Sequence, residues 1–171
     1  AVIALIFGIK NYYEQSKIKT VLSMTVVNSM ANDTETPEQK IKETLGYKDD
    51  PYSKVEIGVN LTTDSEMAEF DYNAQMAYVA QIQAGSIDIM PEKLYQTLKK
   101  NEPFADLKEL MGEEAFEKFG MQTDTTHISI TESELEQELG VIYDPVCIAV
   151  PYSAPNQENA VKWIKSLDNR K

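Results

Sequence analysis

The sequence has few of the side chains that carry most protein chemistry: its 171 residues include one cysteine and one histidine. A single cysteine, Cys147, excludes a disulfide within the chain and cannot form a thiolate metal cluster by itself. Its apolar surroundings, VCIAV, favour burial in a strand over reactivity. His127 lies in TTHISI without a neighbour at metal-ligand spacing. We therefore expect no metal site and no cofactor.

Basic residues are also scarce, since 16 lysines and arginines stand against 28 acidic residues and the formal net charge is -12. Such a field repels phosphate backbones and anionic lipid headgroups, so nucleic acid is not expected as a partner. Acidic surfaces are common on plain soluble domains, where they serve solubility alone. The charge therefore narrows the class of partner without indicating a function.

Catalytic motifs are absent from the sequence. It contains no glycine-rich phosphate loop, no nucleophile elbow and no Ser/His/Asp or Cys/His pairing at an informative spacing. Oxygen-bearing side chains at Asn32, Asp33 and Glu35, or at Asp49 and Asp50, lack the loop spacing of a calcium site. These absences predict a protein that is not an enzyme.

Long hydrophobic runs are missing as well, apart from AVIALIFGI at the amino end. Nine apolar residues are too few for a membrane helix, which needs about 20. Lys10 and the pair Tyr12 and Tyr13 follow at once, as at a membrane interface. We expect residues 1–17 to form a helix, with the end of a membrane anchor as the leading interpretation and a signal segment or a packed amphipathic helix as alternatives. Residues 18–171 suit a single domain.

The centre of the chain predicts an α/β unit. Thr63 and Glu66 have capping-box spacing at the start of a helix, and Gly85 has the position of a left-handed helix end. The apolar run at residues 87–90 follows as a short strand, and Pro91 stops that strand while opening another helix. Helix, strand and helix in this order are typical of a layered α/β fold.

Other strands extend this unit into a sheet. Residues 18–28 and 55–61 form apolar or alternating runs, and a late run at 141–150 precedes a helix whose apolar face includes Trp163. Residues 127–130 suit a minor strand. Because helices separate the early strands, right-handed crossovers are expected. The predicted fold is α/β: a three-layer domain with a mostly parallel sheet of about four to five strands and helices on both faces.

Four segments occur in an order that carries a resemblance. They are VVNS at residues 26–29, QIQAGSIDIMP at 81–91, PFADLKEL at 103–110 and VCIAVPYSAPNQENAVKWIKSL at 146–167. Together they resemble the extracytoplasmic solute-binding proteins of bacterial ABC transporters, which have the type II periplasmic-binding-protein fold. The resemblance implies a small polar solute such as a sugar as ligand, a transporter or membrane partner, and an extracytoplasmic location.

The chain departs from that family in two ways. In a full member, an entire second lobe stands between the segment that PFADLKEL resembles and the late strand. Here only residues 111–140 lie between them, which predicts a single lobe. Members in Gram-positive cells usually carry a lipidated cysteine at the mature N-terminus, whereas Cys147 is far from that end. An N-terminal membrane helix is expected to do the same tethering job.

Ligands of open α/β sheets gather where the carboxyl ends of the strands meet loops and helix N-termini. The residues predicted to line such an edge are Asn28, Ser29, Thr62, Thr63, Asp64, Met90, Tyr152 and Ser153. Their hydroxyl, amide and aromatic groups suit contacts with a sugar or another polar solute. Ordinary strand-end turns and helix caps also explain these residues, so both interpretations stay open.

The leading hypothesis is a membrane-tethered extracytoplasmic domain with the architecture of one solute-binding lobe, which binds without catalysis. The alternative is a protein-interaction or assembly module that kept the lobe fold and lost its solute. Such a module is expected to pair with a partner or with itself as a homodimer. An extracellular hydrolase with an unrecognised site is the third and weakest hypothesis.

Overall fold

The computed structural model describes residues 12–62, 72–101, 104–130 and 134–167. The predictions for residues 1–11 and for the capping box of Thr63 and Glu66 lie outside these ranges. Residues 12–15 are helical. Within the described ranges, no helix combines the length and the apolar character that a membrane span requires.

Five strands form one mixed sheet in the described part of the chain. They are β1 (Lys19–Val26), β2 (Ser53–Gly58), β3 (Ile87–Pro91), β4 (Ile128–Ile130) and β5 (Val146–Ala149). Their order across the sheet is β2-β1-β3-β5-β4. The pairs β1/β2 and β1/β3 are parallel, whereas β5 is antiparallel to both of its neighbours, β3 and β4. The prediction of an α/β fold is confirmed as a single mixed sheet with helices.

Besides the helical residues 12–15, seven α-helices accompany these strands in the same ranges. They are α1 (Glu35–Thr44), α2 (Tyr72–Gln83), α3 (Glu92–Leu98), α4 (Leu107–Met111), α5 (Glu113–Glu117), α6 (Glu134–Leu139) and α7 (Gln157–Leu167), and a short 3-10 helix (Lys99–Asn101) continues α3. The buried residues of α7 are Ala160, Trp163, Ile164 and Leu167. They are the positions that its apolar spacing predicted.

The sheet is covered on both faces, because the central strands contribute alternate side chains to two separate cores. In β5, Val146 and Ile148 join the larger core with α1 and α7, whereas Cys147 joins a smaller core with α2 and α3. Burial on both faces explains why the central strands are continuous apolar runs. The edge strand β2 instead alternates, with Val55 buried and Lys54 exposed.

The direction of β5 is the departure from a parallel sheet. Pro91 at the end of β3 lies opposite Val146 at the start of β5, and Asp88 lies opposite Ala149. An apolar run that is buried on both faces has the same pattern in either direction, so the sequence VCIA carries no directional information. The chain after β5 therefore leaves from the sheet edge opposite to that at which β1, β2 and β3 end.

The prediction that Gly85 ends a helix in the left-handed conformation is wrong, since Gly85 is not among the glycines with positive φ. A Cβ atom at Gly85 would lie 3.3 Å from Thr25 Oγ1, so the missing side chain permits a close approach to β1. At that contact the Ser86 amide donates to the Ser23 carbonyl at 2.9 Å. The glycine therefore serves the packing of the turn on the sheet.

Asp88 is a fully buried carboxyl in the middle of β3. Neither of its oxygens has a hydrogen-bond partner of normal geometry among the described residues. Burial raises the pKa of Asp88 well above its ordinary value of 3.8, and the neighbouring Thr25 hydroxyl offsets only part of that effect. The folded protein therefore holds this carboxyl in its neutral, protonated form.

Asp88→Asn is expected to remove a pH dependence of stability. Above about pH 4 the unfolded chain releases this proton while the folded chain keeps it, so wild-type stability falls as the pH rises towards the raised folded pKa. An amide does not titrate, so the unfolding free energy of the variant, relative to that of wild type, should increase between about pH 4 and pH 7. Urea unfolding at both pH values measures the gain, with the exposed Asp49→Asn as control. An equal difference at both values would contradict a protonated Asp88.

Trp163→Ala should cost about 3–5 kcal/mol of unfolding free energy, because the indole is fully buried in the larger core beneath the sheet. Trp163→Phe retains most of the ring volume and should cost less. Denaturant unfolding of the three proteins measures both losses. A loss below about 1 kcal/mol for the alanine variant would mean that α7 is not docked on the sheet as described.

Candidate functional site

The predicted ligand residues that follow β1 and β2 lie next to each other. The Asn28 amide donates to the carbonyl of Leu61 at 2.9 Å, which joins the end of β1 to the segment that contains Thr62. Asn28 has a φ of 54°, a left-handed conformation that turns the chain out of β1. Asn28, Ser29 and Thr62 therefore share the carboxyl edge of the sheet, as predicted.

Ser29 has a structural role at this edge. Its hydroxyl donates to the Leu139 carbonyl at 2.6 Å and accepts from the Ala31 amide at 3.0 Å. The Met30 amide also donates to the Gly140 carbonyl at 2.8 Å. These bonds attach the loop after β1 to the end of α6. The hydroxyl of Ser29 is thus already engaged in the fold.

Three other predicted site residues, Met90, Tyr152 and Ser153, do not join them. Met90 is fully buried, with its side chain in the smaller core. Tyr152 and Ser153 follow β5 and lie at the opposite sheet edge, because β5 is antiparallel. Thr63 and Asp64 lie outside the described residues. Whether any of the eight residues binds a ligand stays a prediction.

Apart from the edge at Asn28, Ser29 and Thr62, a cluster of polar side chains lies between α3 and the strand pair β4/β5. We call it the α3 cluster. Its members are Glu92, Tyr95, Lys99, Asp124, Thr126, His127 and Cys147. The helical spacing of the first three places them on one side of α3. Ser129 pairs with Cys147 across the β4/β5 ladder, and alternation brings the side chain of His127 to the same sheet face as that of Ser129.

Asp124 is the centre of the hydrogen bonds in the α3 cluster. It accepts from the Thr126 amide at 2.9 Å, from the Tyr95 hydroxyl at 2.9 Å and from Lys99. His127 Nδ1 lies 2.8 Å from Asp124 Oδ1. Burial alone would raise the pKa of Asp124, but the bonds from Lys99 and His127 outweigh burial and hold that pKa below its usual range. Asp124 is therefore a carboxylate.

The ionised Asp124 fixes the orientation and the tautomer of His127. A carboxylate only accepts hydrogen bonds, so Nδ1 carries a proton, and Nε2 is the ring nitrogen left to bind another partner. The Tyr95 ring lies against the imidazole with 4.1 Å between ring centroids. His127 is fully buried, and its Nε2 has no hydrogen-bond partner among the described residues.

Glu92 and Cys147 face that nitrogen. Cys147 Sγ donates to Glu92 Oε2 at 2.7 Å, and the same oxygen is 3.6 Å from His127 Nε2. Burial raises the pKa of the Cys147 thiol and the Glu92 carboxylate raises it further, so the thiol is protonated. Burial opposes ionisation of Glu92, but bonds from Cys147 and Gln96 keep the Glu92 pKa below its ordinary value.

An open groove with a volume of about 690 Å³ adjoins the α3 cluster at the sheet edge where β4 begins and β5 ends. It is lined by Lys99, Phe104, Asp106, Glu109, Asp124, Thr126 and Tyr152. Tyr152 is 76% exposed there, while Phe104 is largely buried beside it. The backbone bridge between Phe104 and Pro151 joins the two aromatic segments. Of the predicted site residues that the structure describes, Tyr152 is the one that lines this groove.

The sequence prediction missed both the groove and the α3 cluster. His127 is predicted from the sequence to lack a metal site, because TTHISI contains no neighbour spaced to form one. Its neighbours Glu92 and Cys147 come from α3 and β5, which are distant in sequence. The minor strand at residues 127–130 was predicted, and its pairing with β5 is the signal that would have placed His127 and Cys147 on one face.

Comparison of the chain with protein-family models, with curated proteins and with solved structures gives no match in any of the three. The resemblance to extracytoplasmic solute-binding proteins accordingly stays a prediction from the sequence. A function for this chain has to be argued from the groove and the α3 cluster.

Gly140→Ala is expected to disrupt the junction that supports the edge at Asn28. Gly140 has a φ of 62°, and a Cβ atom there would lie 2.2 Å from the Ala31 amide nitrogen. The strained backbone and the displaced loop both lower the free energy of unfolding, and we expect the total loss to be about 2–4 kcal/mol. Gly112 has a φ of 86° with open space around a Cβ atom, so Gly112→Ala should cost about 1 kcal/mol. Equal losses in urea unfolding would contradict the close contact.

Proposed function

We propose that the chain is a binding domain for a small polar solute, without catalysis, and that the groove is where the solute binds. The observation that carries this proposal is a concave surface of about 690 Å³ that combines aromatic rings with several carboxylates. Ligand sites in proteins are typically clefts of about 300–1,000 Å³ with a few converging polar groups.

The side chains of the groove favour a polyhydroxylated solute. Tyr152 offers an exposed ring on which the C–H face of a sugar can pack, and the largely buried Phe104 lines the groove beside it. Asp106 and Glu109 offer carboxylate oxygens, which accept hydrogen bonds from hydroxyl groups. Lys99 is already paired with Asp124, so the remaining acidic groups leave the groove with a negative field. A neutral sugar therefore suits the groove better than an anion does.

Two of the carboxylates are held in place before any ligand arrives. Asp106 accepts from the Thr125 hydroxyl at 2.7 Å and from the Glu109 amide at 2.8 Å, as the N-cap of α4. These bonds, with burial opposing them, lower the pKa of Asp106, so it stays ionised. Asp124 is fixed within the α3 cluster. Fixed acceptors reduce the ordering that a ligand must impose, which favours affinity.

The wider class that we propose is the extracytoplasmic solute-binding domain, with a transporter or membrane partner and a tether in residues 1–17. Support for this class comes from the ordered segments of the sequence and from the mixed α/β sheet. Residues 111–140 add β4 to the same sheet. Within the described ranges there is one sheet, which agrees with a single lobe. The location rests on the sequence resemblance, and the tether rests on the apolar run AVIALIFGI and the Lys10, Tyr12 and Tyr13 that follow it.

Tyr152→Ala should weaken solute binding about tenfold or more, because Tyr152 is the exposed aromatic ring among the described residues that line the groove. Isothermal titration against a panel of sugars, oligosaccharides and small anions would identify the solute on the wild-type chain. The matched control is Tyr12→Ala, which removes an exposed ring outside the groove. We expect its affinity to equal that of wild type.

A flat response of the wild-type chain across the panel would count against the proposed function. If the chain then migrated above 19.3 kDa in light scattering, the interaction module would become the better hypothesis. Equal weakening by Tyr152→Ala and Tyr12→Ala would place the solute away from the groove.

A further inference from the structure

The α3 cluster contains three potential metal ligands with no assigned role in the groove. Glu92, His127 and Cys147 each direct one ligand atom to a common point, and these three atoms lie within 4.8 Å of one another. We propose that they form a binding site for a single zinc ion, which goes beyond the proposed binding of a solute. The site is built from α3, the residue before β4, and β5.

The donor set identifies the class of metal. Sulfur, imidazole nitrogen and carboxylate oxygen are the three ligand types that Zn²⁺ takes in proteins, whereas Mg²⁺ and Ca²⁺ require oxygen ligands. Three protein ligands leave a fourth tetrahedral position for water. Glu92 is the one partly exposed ligand, so solvent reaches the site from the side of this residue.

Two of the three separations between ligand atoms can be compared with a tetrahedral zinc site, and the third, between His127 and Cys147, is at most 4.8 Å. Zinc bonds of about 2.0–2.3 Å place neighbouring ligand atoms roughly 3.3–3.6 Å apart. The separation of Glu92 Oε2 from His127 Nε2, 3.6 Å, fits this range as it stands. Glu92 Oε2 and Cys147 Sγ, at 2.7 Å, must move apart by a little under 1 Å. The partly exposed Glu92 side chain in the first turn of α3 has the freedom to make that movement.

His127 is the strongest single indication of a ligand. Its Nε2 atom is buried, lies 3.6 Å from Glu92 Oε2, and has no hydrogen-bond partner among the described residues. An unpaired buried nitrogen is costly, and a metal ion would pair it. Asp124 on Nδ1 supplies the second contact that zinc-bound histidines almost always have, because it fixes the ring and its tautomer.

Zinc binding replaces the hydrogen bond between Cys147 and Glu92. The S–H bond breaks, a Zn–S bond forms, and the proton leaves to solvent past Glu92. No electron transfer is involved. A coordinated thiol is held as the thiolate by the charge of the metal. Asp124 does not touch the ion and acts as a positioning residue through His127.

The experiment titrates the full chain with Zn²⁺ by calorimetry and with Co²⁺ by absorption spectroscopy. We expect one equivalent of metal per chain and a thiolate-to-cobalt charge-transfer band in wild type. Cys147→Ser should abolish the band, and both Cys147→Ser and Glu92→Gln should weaken Zn²⁺ binding about tenfold or more. Asp124→Asn should keep the band while lowering the Co²⁺ and Zn²⁺ affinity about tenfold. This combination indicates that Asp124 positions His127, because a purely structural role of Asp124 would not lower the metal affinity of a folded variant.

A matched control guards against loose binding to an acidic surface. Glu114→Gln removes an exposed carboxylate from α5, away from the proposed ligands, and should leave the Zn²⁺ affinity within about twofold of wild type. The proposal is overturned if Cys147→Ser keeps the band, if Glu92→Gln binds as wild type does, or if wild type binds no stoichiometric metal. Circular dichroism checks that each variant folds, and Glu92→Gln, at a partly exposed position, decides the question if Cys147→Ser does not fold.

Discussion

The insertion of β5 in the antiparallel direction between β3 and β4 is the constraint on which the described features depend. It sets Cys147 opposite Met90 on one side and opposite Ser129 on the other. It also carries the chain out at the edge where β4 begins, so that Tyr152 stands beside Phe104. A parallel β5 would send Tyr152 to the other edge and would remove one wall of the groove.

Asp124 links the groove to the buried half of the α3 cluster. It lines the groove, pairs with Lys99 and holds His127 Nδ1. A solute that contacts Asp124 and an ion that binds His127 would therefore act on one carboxylate. By thermodynamic linkage, any effect of the first ligand on the affinity of the second is matched in the reverse direction.

Sequence reasoning recovered the elements whose pattern reports burial. The strands β1, β2 and β5, the minor strand β4 and the apolar face around Trp163 follow from periodicity, because a buried face repeats with its element. The direction of β5 and the position of Gly85 against Thr25 do not follow from periodicity, because both depend on which strands become neighbours. The sequence did not predict the neighbours of His127 and Cys147 for the same reason, because the register of the strands across the sheet determines which residues become neighbours.

The order of the strands also determines which backbone is exposed at the sheet margins. Among the described strands, β2 and β4 have unpaired edges, where a second chain could add a strand. β2 carries an exposed ion pair between Lys54 and Glu56 with 2.9 Å between the charged atoms, and β4 is only three residues long. Charge at one margin and brevity at the other both disfavour edge-to-edge pairing of two chains through these strands.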